Sequence, residues 1–577
     1  MIKYMFFLLA SISMAQIGIN TTDPKGSLHV ESINNMGIVL PRVDDLDFVT
    51  DGAGNPPMEG TLVFYTAIPA TCFYQNGGWV CIEQDASGNP ILSDRSACTT
   101  SATYVKASNT QAGDAFGSVM AISDDGNTLA VATHLEDSNA SGINGNGSNN
   151  SFQDSGAAYI FVKSGSTWIQ QAYIKASNPE ANDSFGISIS LSGDGNTLAV
   201  GAVGESSNAT GVNGNQSNNS SSDSGATYIF TRSGSIWSQQ AYIKASNTET
   251  TDLFGRAVSL SYNGNKLAVG ATGEDSNSTG VNGNQTNNST GGSGAVYLFS
   301  RSGSVWTQTH YIKSSNPNAI DSFGNSLEIS GDGNTLVIGA LFEDSNATGI
   351  NGNQANNSAF DSGAAYVFYY NGSNWAQQAY LKASNTEGAD AYGHDVSISS
   401  NGDVVAVGAI GEDSNATGIN GNQANNSAQD SGAVYLYVRN GTVWSQEAYI
   451  KSSNSETYDD IGNAVSLSND GNVLLVSTYG EDSNGTGLCS DGSNNNAVRS
   501  GAAYVFKKIA GSWSQTSFIK ATNTEAHDQF GQSSDISGNG VVIAVGANGE
   551  ASNAVGINGN QANNSAGVSG AVYIFGN

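Results

Sequence analysis

From about residue 101 onward the chain is built of short stretches in which apolar residues alternate with small or polar ones, each bounded by Gly, Asn, Asp or Ser. A period of two marks β-strands whose faces meet different neighbours, and nothing in these stretches carries the three-and-four spacing of a helix. In the copy that opens at Phe185, residues 187–191 alternate aliphatic side chains with serine, and residues 198–202 alternate Leu and Val with Ala and Gly. A third strand carries Tyr228-Ile229-Phe230, and a fourth opens at Trp237 and ends in a Tyr-Ile-Lys-Ala-Ser-Asn phrase. Asp194-Gly195 joins the first two strands, and we read it as a tight hairpin with positive φ supplied by the dipeptide.

These four strands recur at a fixed interval. Phe116-Gly117, Phe185-Gly186, Phe254-Gly255, Phe323-Gly324, Tyr392-Gly393, Ile461-Gly462 and Phe530-Gly531 follow one another every 69 residues without insertion or deletion. A period of that length built from strands alone implies propeller blades, so the expected fold is all-β, a seven-bladed β-propeller of four-stranded blades. Large side chains facing small ones suit blades that interdigitate, and the recurring Tyr and Trp read as core. Residues 101–109 form a lone fourth strand, whereas the chain stops after a third strand at Asn577. The strand at 101–109 should therefore complete the last blade and close the ring, giving a propeller over 98–577 and leaving a small β-rich module at 16–93.

Composition narrows the function. With 71 Gly, only 8 Pro and a net charge of −30, the chain has the turns of an all-β protein and no cationic face able to neutralise phosphates, which argues against nucleic acid. Lys3, the apolar run 4–12 and Ser13-Met14-Ala15 read as an export signal over 1–15, with the mature chain starting at Gln16. That run is too short to span a bilayer and no later one approaches it, so we expect a secreted or cell-surface protein without a membrane span. Export permits disulfides. Cys72 and Cys81 flank FYQNGGWV, and a two-residue turn at Asn76-Gly77 sets them directly opposite each other, so we expect a bridge between them. Cys98 and Cys489 either pair with each other or remain free thiols.

Each repeat also carries a loop of about twenty residues between its second and third strands, far longer than a hairpin needs. It begins with Glu in all seven copies, five times followed by Asp, and four copies close with Asp-Ser-Gly. The crossover on the same face ends in Asp-x-(Phe/Tyr/Ile)-Gly. Counted together these place 23 carboxylates on one face against seven recurring lysines, Lys106, Lys175, Lys244, Lys313, Lys382, Lys451 and Lys520. Two readings stand. Calcium (Ca2+) could be held by Glu136, Asp137, Asp154, Glu274, Asp275, Glu343, Asp344, Asp361, Glu412, Asp413, Asp430, Glu481 and Asp482 with Asn side chains and carbonyls. Alternatively each Lys pairs with its nearby acids while Asn, Ser and Gly order the loop among themselves.

The order Phe-Gly, hairpin, Leu-Ala-Val-Gly-Ala, Gly-Ala-x-Tyr-x-Phe resembles the FG-GAP repeats of integrin α-chain propellers and related bacterial exported proteins. That resemblance covers about 98–577 and implies a seven-bladed propeller used in extracellular binding and adhesion. In the family the first hairpin often holds an Asp-x-Asp-x-Asp-Gly calcium loop; around Asp194 it has shrunk to Ser-Gly-Asp-Gly-Asn, with too few oxygens for a full cage. Ile17 to Thr22 and Gly37 to Arg42 are similar to N-terminal segments of exported Bacteroidetes proteins, some of them like phage tail-fibre pieces. The expected function is a binding or adhesion surface for an unknown protein or surface glycan, with a purely structural surface or fibre component as the alternative. A lectin is less favoured, because the loops hold few rings beyond Phe152, Phe342 and Phe360 for stacking on sugar. We expect no enzyme: His29, His134, His310, His394 and His527 occupy non-equivalent places, no nucleophile elbow occurs, and seven near-identical sites do not look like one hydrolase centre. The sixth repeat departs most, at Ile461, Cys489 and Arg499.

Overall fold

The computed structural model describes residues 17–19, 28–30, 40–43, 61–65, 70–75, 78–84, 90–94 and 102–576 apart from 489, 491 and 510, and every regular element among the described residues is a β-strand. The export segment at 1–15, the Asn76-Gly77 turn, and the Cys98 and Cys489 thiols lie outside the described residues. Two units are present, Met1–Ser96 and Ala97–Asn577.

In the first unit Arg42–Val43 lies parallel to Leu62–Tyr65, and the sheet continues antiparallel through Ala70–Gln75, Gly78–Gln84 and Pro90–Asp94. Cys72 sits opposite Cys81 in this ladder, and the two are joined by a buried disulfide.

The second unit holds seven blades. In the second blade Phe185–Leu191, Thr197–Ala202, Ala226–Ser233 and Ile236–Ile243 pair in that order, all antiparallel. The seventh is assembled from both ends of the unit: Phe530–Ile536, Ile543–Ala547 and Ala571–Phe575 are followed by Thr103–Val105, with Val572 opposite Val105 and Tyr573 opposite Tyr104. Seven apolar clusters fill the gaps between neighbouring blades, the seventh-to-first gap included. Between the first and second blades Ala130, Ala132 and Ile160 pack against Phe185, Leu198, Val200 and Tyr228, all fully buried. Each large side chain there contributes about 1.5–3 kcal/mol. Phe185 meets Tyr228 edge-on at 5.4 Å between ring centres. Small residues are equally required: a Cβ added to Gly201 would lie 2.0 Å from the carbonyl oxygen of Gly255 in the next blade, and Gly255 itself has φ +96°.

The hairpin between the first two strands differs from the tight two-residue turn expected of it. Leu191 pairs with Leu198, so the connection is longer, and of the Asp-Gly dipeptide only Gly195 has positive φ, +67°. The aspartate acts through its side chain instead: Asp194 Oδ1 accepts hydrogen bonds from Ser192 Oγ at 2.6 Å and from the backbone N–H of Asn196 at 3.0 Å. These hairpins also join the blades. Backbone N–H groups of Asp124, Gly193, Tyr262, Asp332, Ser400, Asn469 and Gly538 donate to carbonyls of Gly193, Tyr262, Gly331, Ser400, Asn469, Gly538 and Asp124, at 2.8–3.1 Å, forming a belt that returns to its start. A chain of hydrogen bonds that returns to its first residue after seven blades requires a closed ring.

Candidate functional site

The long loops are anchored by a polar cluster whose Lys–Glu pair is repeated in every blade. In the first blade Glu136 follows the second strand and Lys175 directly follows the fourth. Lys175 Nζ lies 2.7 Å from Glu136 Oε2 and donates to Ser155 Oγ at 2.7 Å. The other carboxylate oxygen accepts from Asn109 Nδ2 at 2.7 Å and from Tyr173 OH at 2.8 Å, while Ser138 N–H donates to Oε2. Tyr159 OH closes the set by donating to Asn109 Oδ1. The same Lys–Glu pair recurs in all seven blades at 2.5–3.0 Å, and each lysine is fully buried. Burial pushes the Lys175 ammonium below its usual range, and the Glu136 charge and hydrogen bond pull it back.

This geometry corrects the picture of a face carrying 23 surface carboxylates. Glu136, Glu274, Glu343, Glu412 and Glu481 are each at most 2% exposed and turned inward to their lysines, and Glu205 and Glu550 do the same. The seven crossover aspartates are buried too, Asp114, Asp183, Asp252, Asp321, Asp390, Asp459 and Asp528. Each caps its own turn; Asp183 Oδ2, for example, accepts the Glu180 N–H at 2.7 Å. Burial, with neighbouring glutamate adding, pushes these carboxyls up to about 7 in five blades and about 8 at Asp390 and Asp459. A count of charges along the sequence contains no depth, and depth is what decided.

The second acid of each loop fastens the loop's far end. Asp137, Asp344 and Asp413 accept the N–H of Asp154, Asp361 and Asp430 through Oδ1, each at 2.8 Å, while Asp275 takes that of Gly292 and Asp482 that of Arg499. Among the described residues no three His, Cys, Asp or Glu side chains are grouped as if to hold a metal ion. The loops then run outward along their own blade: Ile143 bridges Ile174 of the fourth strand, and Asn144 exchanges hydrogen bonds with Tyr173. In the sixth blade Ile461 takes the buried place of the usual Phe, and Arg499 lies over the Tyr479 ring at 5.9 Å.

Outward-running loops leave the axis to the seven innermost strands, and there sequence reasoning missed a feature. One cavity at the hairpin end is lined by Ile189, Ser190, Glu328, Asp395, Ser466 and Asp535 among others. Side-chain oxygens of five of these strands accept the N–H of the next: Ser190 from Leu260 at 3.0 Å, Glu328 from Ile398 at 2.8 Å and Asp535 from Ile122 at 2.8 Å among them. Burial pushes Glu328 up to about 8 and Asp395 to about 7. The signal was available as an acid standing where sibling repeats have Ser or Ala, but it looked like ordinary strand variation.

No helix among the described residues is long and apolar enough to cross a membrane. Comparison with known proteins agrees with the architecture. No curated protein matches the chain. Residues 18–99 match the phage tail like trimerisation region. Among solved structures, the β-propeller domain of Cps50 (Swd1) from Myceliophteria thermophila is 9% identical, covering 83% of this chain and 100% of that one at a TM-score of 0.43. Kuenenia stuttgartiensis hydrazine synthase is 11% identical, with 76% and 94% covered at 0.40. A putative 6-phosphogluconolactonase from Bacteroides uniformis is 12% identical, with 67% and 84% covered at 0.35. Likenesses this distant say nothing of chemistry. The FG-GAP repeat is matched six times, over 168–230, 237–299, 306–368, 375–437, 444–506 and 513–575, each window running from the fourth strand of one blade to the third of the next, and the chain therefore belongs to the FG-GAP repeat family.

Proposed function

We propose that this chain is an exported binding protein whose propeller presents its loop face to a partner protein outside the cell. The observation that carries the reading is the anchoring pair: seven long loops, each held at its base by a buried Lys–Glu pair, form a preorganised polar surface. Loops held in place lose little entropy on binding, so such a surface suits recognition better than mobile loops would. Family membership and the apolar segment at the N-terminus support the extracellular setting. Lysine supplies the charge that a cation would otherwise bring, so the reading needs no calcium, and it assigns no catalysis.

Labelled full-length protein titrated onto cells of the producing strain tests this. Saturable binding that falls at least tenfold when exposed Asn side chains of the loops are replaced by Arg, with the melting temperature unchanged, is the expected result. Binding that is absent, or indifferent to those replacements, would overturn it. The match over 18–99 favours a second reading, in which that region joins three chains and the propellers decorate a fibre. Sedimentation of the full chain decides this: a mass three times that of the monomer supports it, and a monomer rejects it.

A further inference from the structure

The repeats are nearly uniform, yet two positions differ in almost every blade. Two residues after the Phe, Tyr or Ile that opens each blade stand Ser118, Ile187, Arg256, Asn325, His394, Asn463 and Gln532; just beyond the second strand stand His134, Val203, Thr272, Leu341, Ile410, Tyr479 and Asn548. The fold brings all seven of the first ring, with His134 and Asn548 from the second, to the mouth of the axial channel on the loop side, around a cavity of about 430 Å3. That size falls within the range of about 300–1,000 Å3 usual for small-molecule sites. The loops, pinned along the outer strands, leave this mouth uncovered.

Arg256 is the odd one among the described arginines. The other described arginines lie over an aromatic ring: Arg42 over Phe64, Arg232 over Trp237, Arg301 over Trp306, Arg439 over Trp444 and Arg499 over Tyr479. The Arg256 guanidinium is pushed down by burial with no carboxylate to offset it. Arg256 is half-buried, and an unpaired charge drawn partly out of water is costly unless something compensates it. Around it three buried polar atoms also have no partner, Nδ1 of His134, Nδ1 of His394 and Oδ1 of Asn548. Burial holds His394 down to about 4, with the Arg256 charge adding and a hydrogen bond to the Asn463 backbone opposing, and burial lowers His134, which the Asp154 charge draws partly back, so both imidazoles are neutral. Asp395 shares the cavity, but its carboxylate is turned to the Val465 N–H at 2.9 Å. Beyond it the channel holds Glu328 and Asp535.

We propose that the loop-side mouth of the channel is a binding site for the oxyanion group of a small molecule, a carboxylate or a phosphate, held by the Arg256 guanidinium and flanked by His134 and His394. The site does not depend on the loop face being a docking surface. Isothermal titration of the full chain with inorganic phosphate and, in a second arm, with citrate, both at constant ionic strength against a sodium chloride blank, tests it. Saturable one-to-one binding in at least one arm, weakened tenfold or more in Arg256→Gln and partly restored in Arg256→Lys, is expected, and the arm that binds names the group. His394→Gln, weakened about threefold or more, serves should Arg256→Gln fail to fold. No binding in either arm, binding matched by chloride, or affinity unaltered in the folded variants would overturn the assignment.

Discussion

At the scale of single residues, the buried Lys–Glu pair decides how the loops stand. Lys244 Nζ is 2.9 Å from Glu205 Oε2 and also donates to Ser224 Oγ, so removing the lysine leaves a carboxylate inside the protein without its counter-charge. Lys244→Met is expected to destabilise by about 3–5 kcal/mol, and the double variant Lys244→Met with Glu205→Gln by clearly less than the two single changes together. Denaturant titration measures both; strict additivity would show that the pair is not coupled. The same reasoning covers calcium, since a glutamate already neutralised has little to offer a second cation. Excess EGTA should leave the melting temperature where it was, and a fall of several degrees would return calcium to the loops. Lys and Glu at fixed repeat positions made the pairing legible in the sequence as one of two readings; burial was not, because hydrophilic letters do not say which side of a turn they face.

Hairpins and crossovers are the elements where local chemistry is repeated most faithfully. Gly195 has φ +67°, and a Cβ there would stand 2.8 Å from Thr128 Oγ1 and 3.0 Å from its Cβ in the preceding blade. Gly195→Ala should therefore cost about 1–2 kcal/mol from backbone strain alone, with the contact adding to it, read as a lowered denaturation midpoint. Sequence reading located this turn and misjudged its form, because a dipeptide preference cannot distinguish a two-residue hairpin from a longer one closed by an aspartate side chain. The crossovers set a pH response. Seven native aspartates keep their protons up to about pH 7 or 8, whereas unfolded ones release them near about 4. Between those limits the folded state binds more protons, so stability is greatest at the acidic end and declines as pH rises through 7. The buried histidines oppose this but are fewer, and the net charge of −30 repels itself more strongly as pH increases. A melting temperature higher at pH 5 than at pH 8 is expected, and the reverse order would mean that these carboxyls are ionised in the native state.

For the whole molecule, what the repeat made legible was everything that follows from periodicity: strand order, blade number and the placing of aromatic residues between blades. The axial channel was not legible, because a strand lining an axis shows the same alternation as one packed between sheets. Closure ties both levels together. Thr103–Val105 forms the outer strand of the seventh blade, Lys106 supplies that blade's buried pair to Glu550 at 2.8 Å, and Tyr104 packs on Tyr573 at 5.4 Å. Deleting residues 98–110 removes all three at once, bares the edge of Ala571–Phe575 and leaves Glu550 uncompensated. The melting temperature should fall by well over ten degrees, on the scale of about 4–8 °C per kcal/mol for small domains and less for larger ones. Appending the same segment after Asn577 through a flexible linker should restore most of that loss, since the ring needs the strand in its place and not its position in the chain. A deletion that melts like the intact protein would mean that the belt of hairpin hydrogen bonds closes the ring unaided; a deletion that the appended strand cannot rescue would mean that the segment acts through the residues before it.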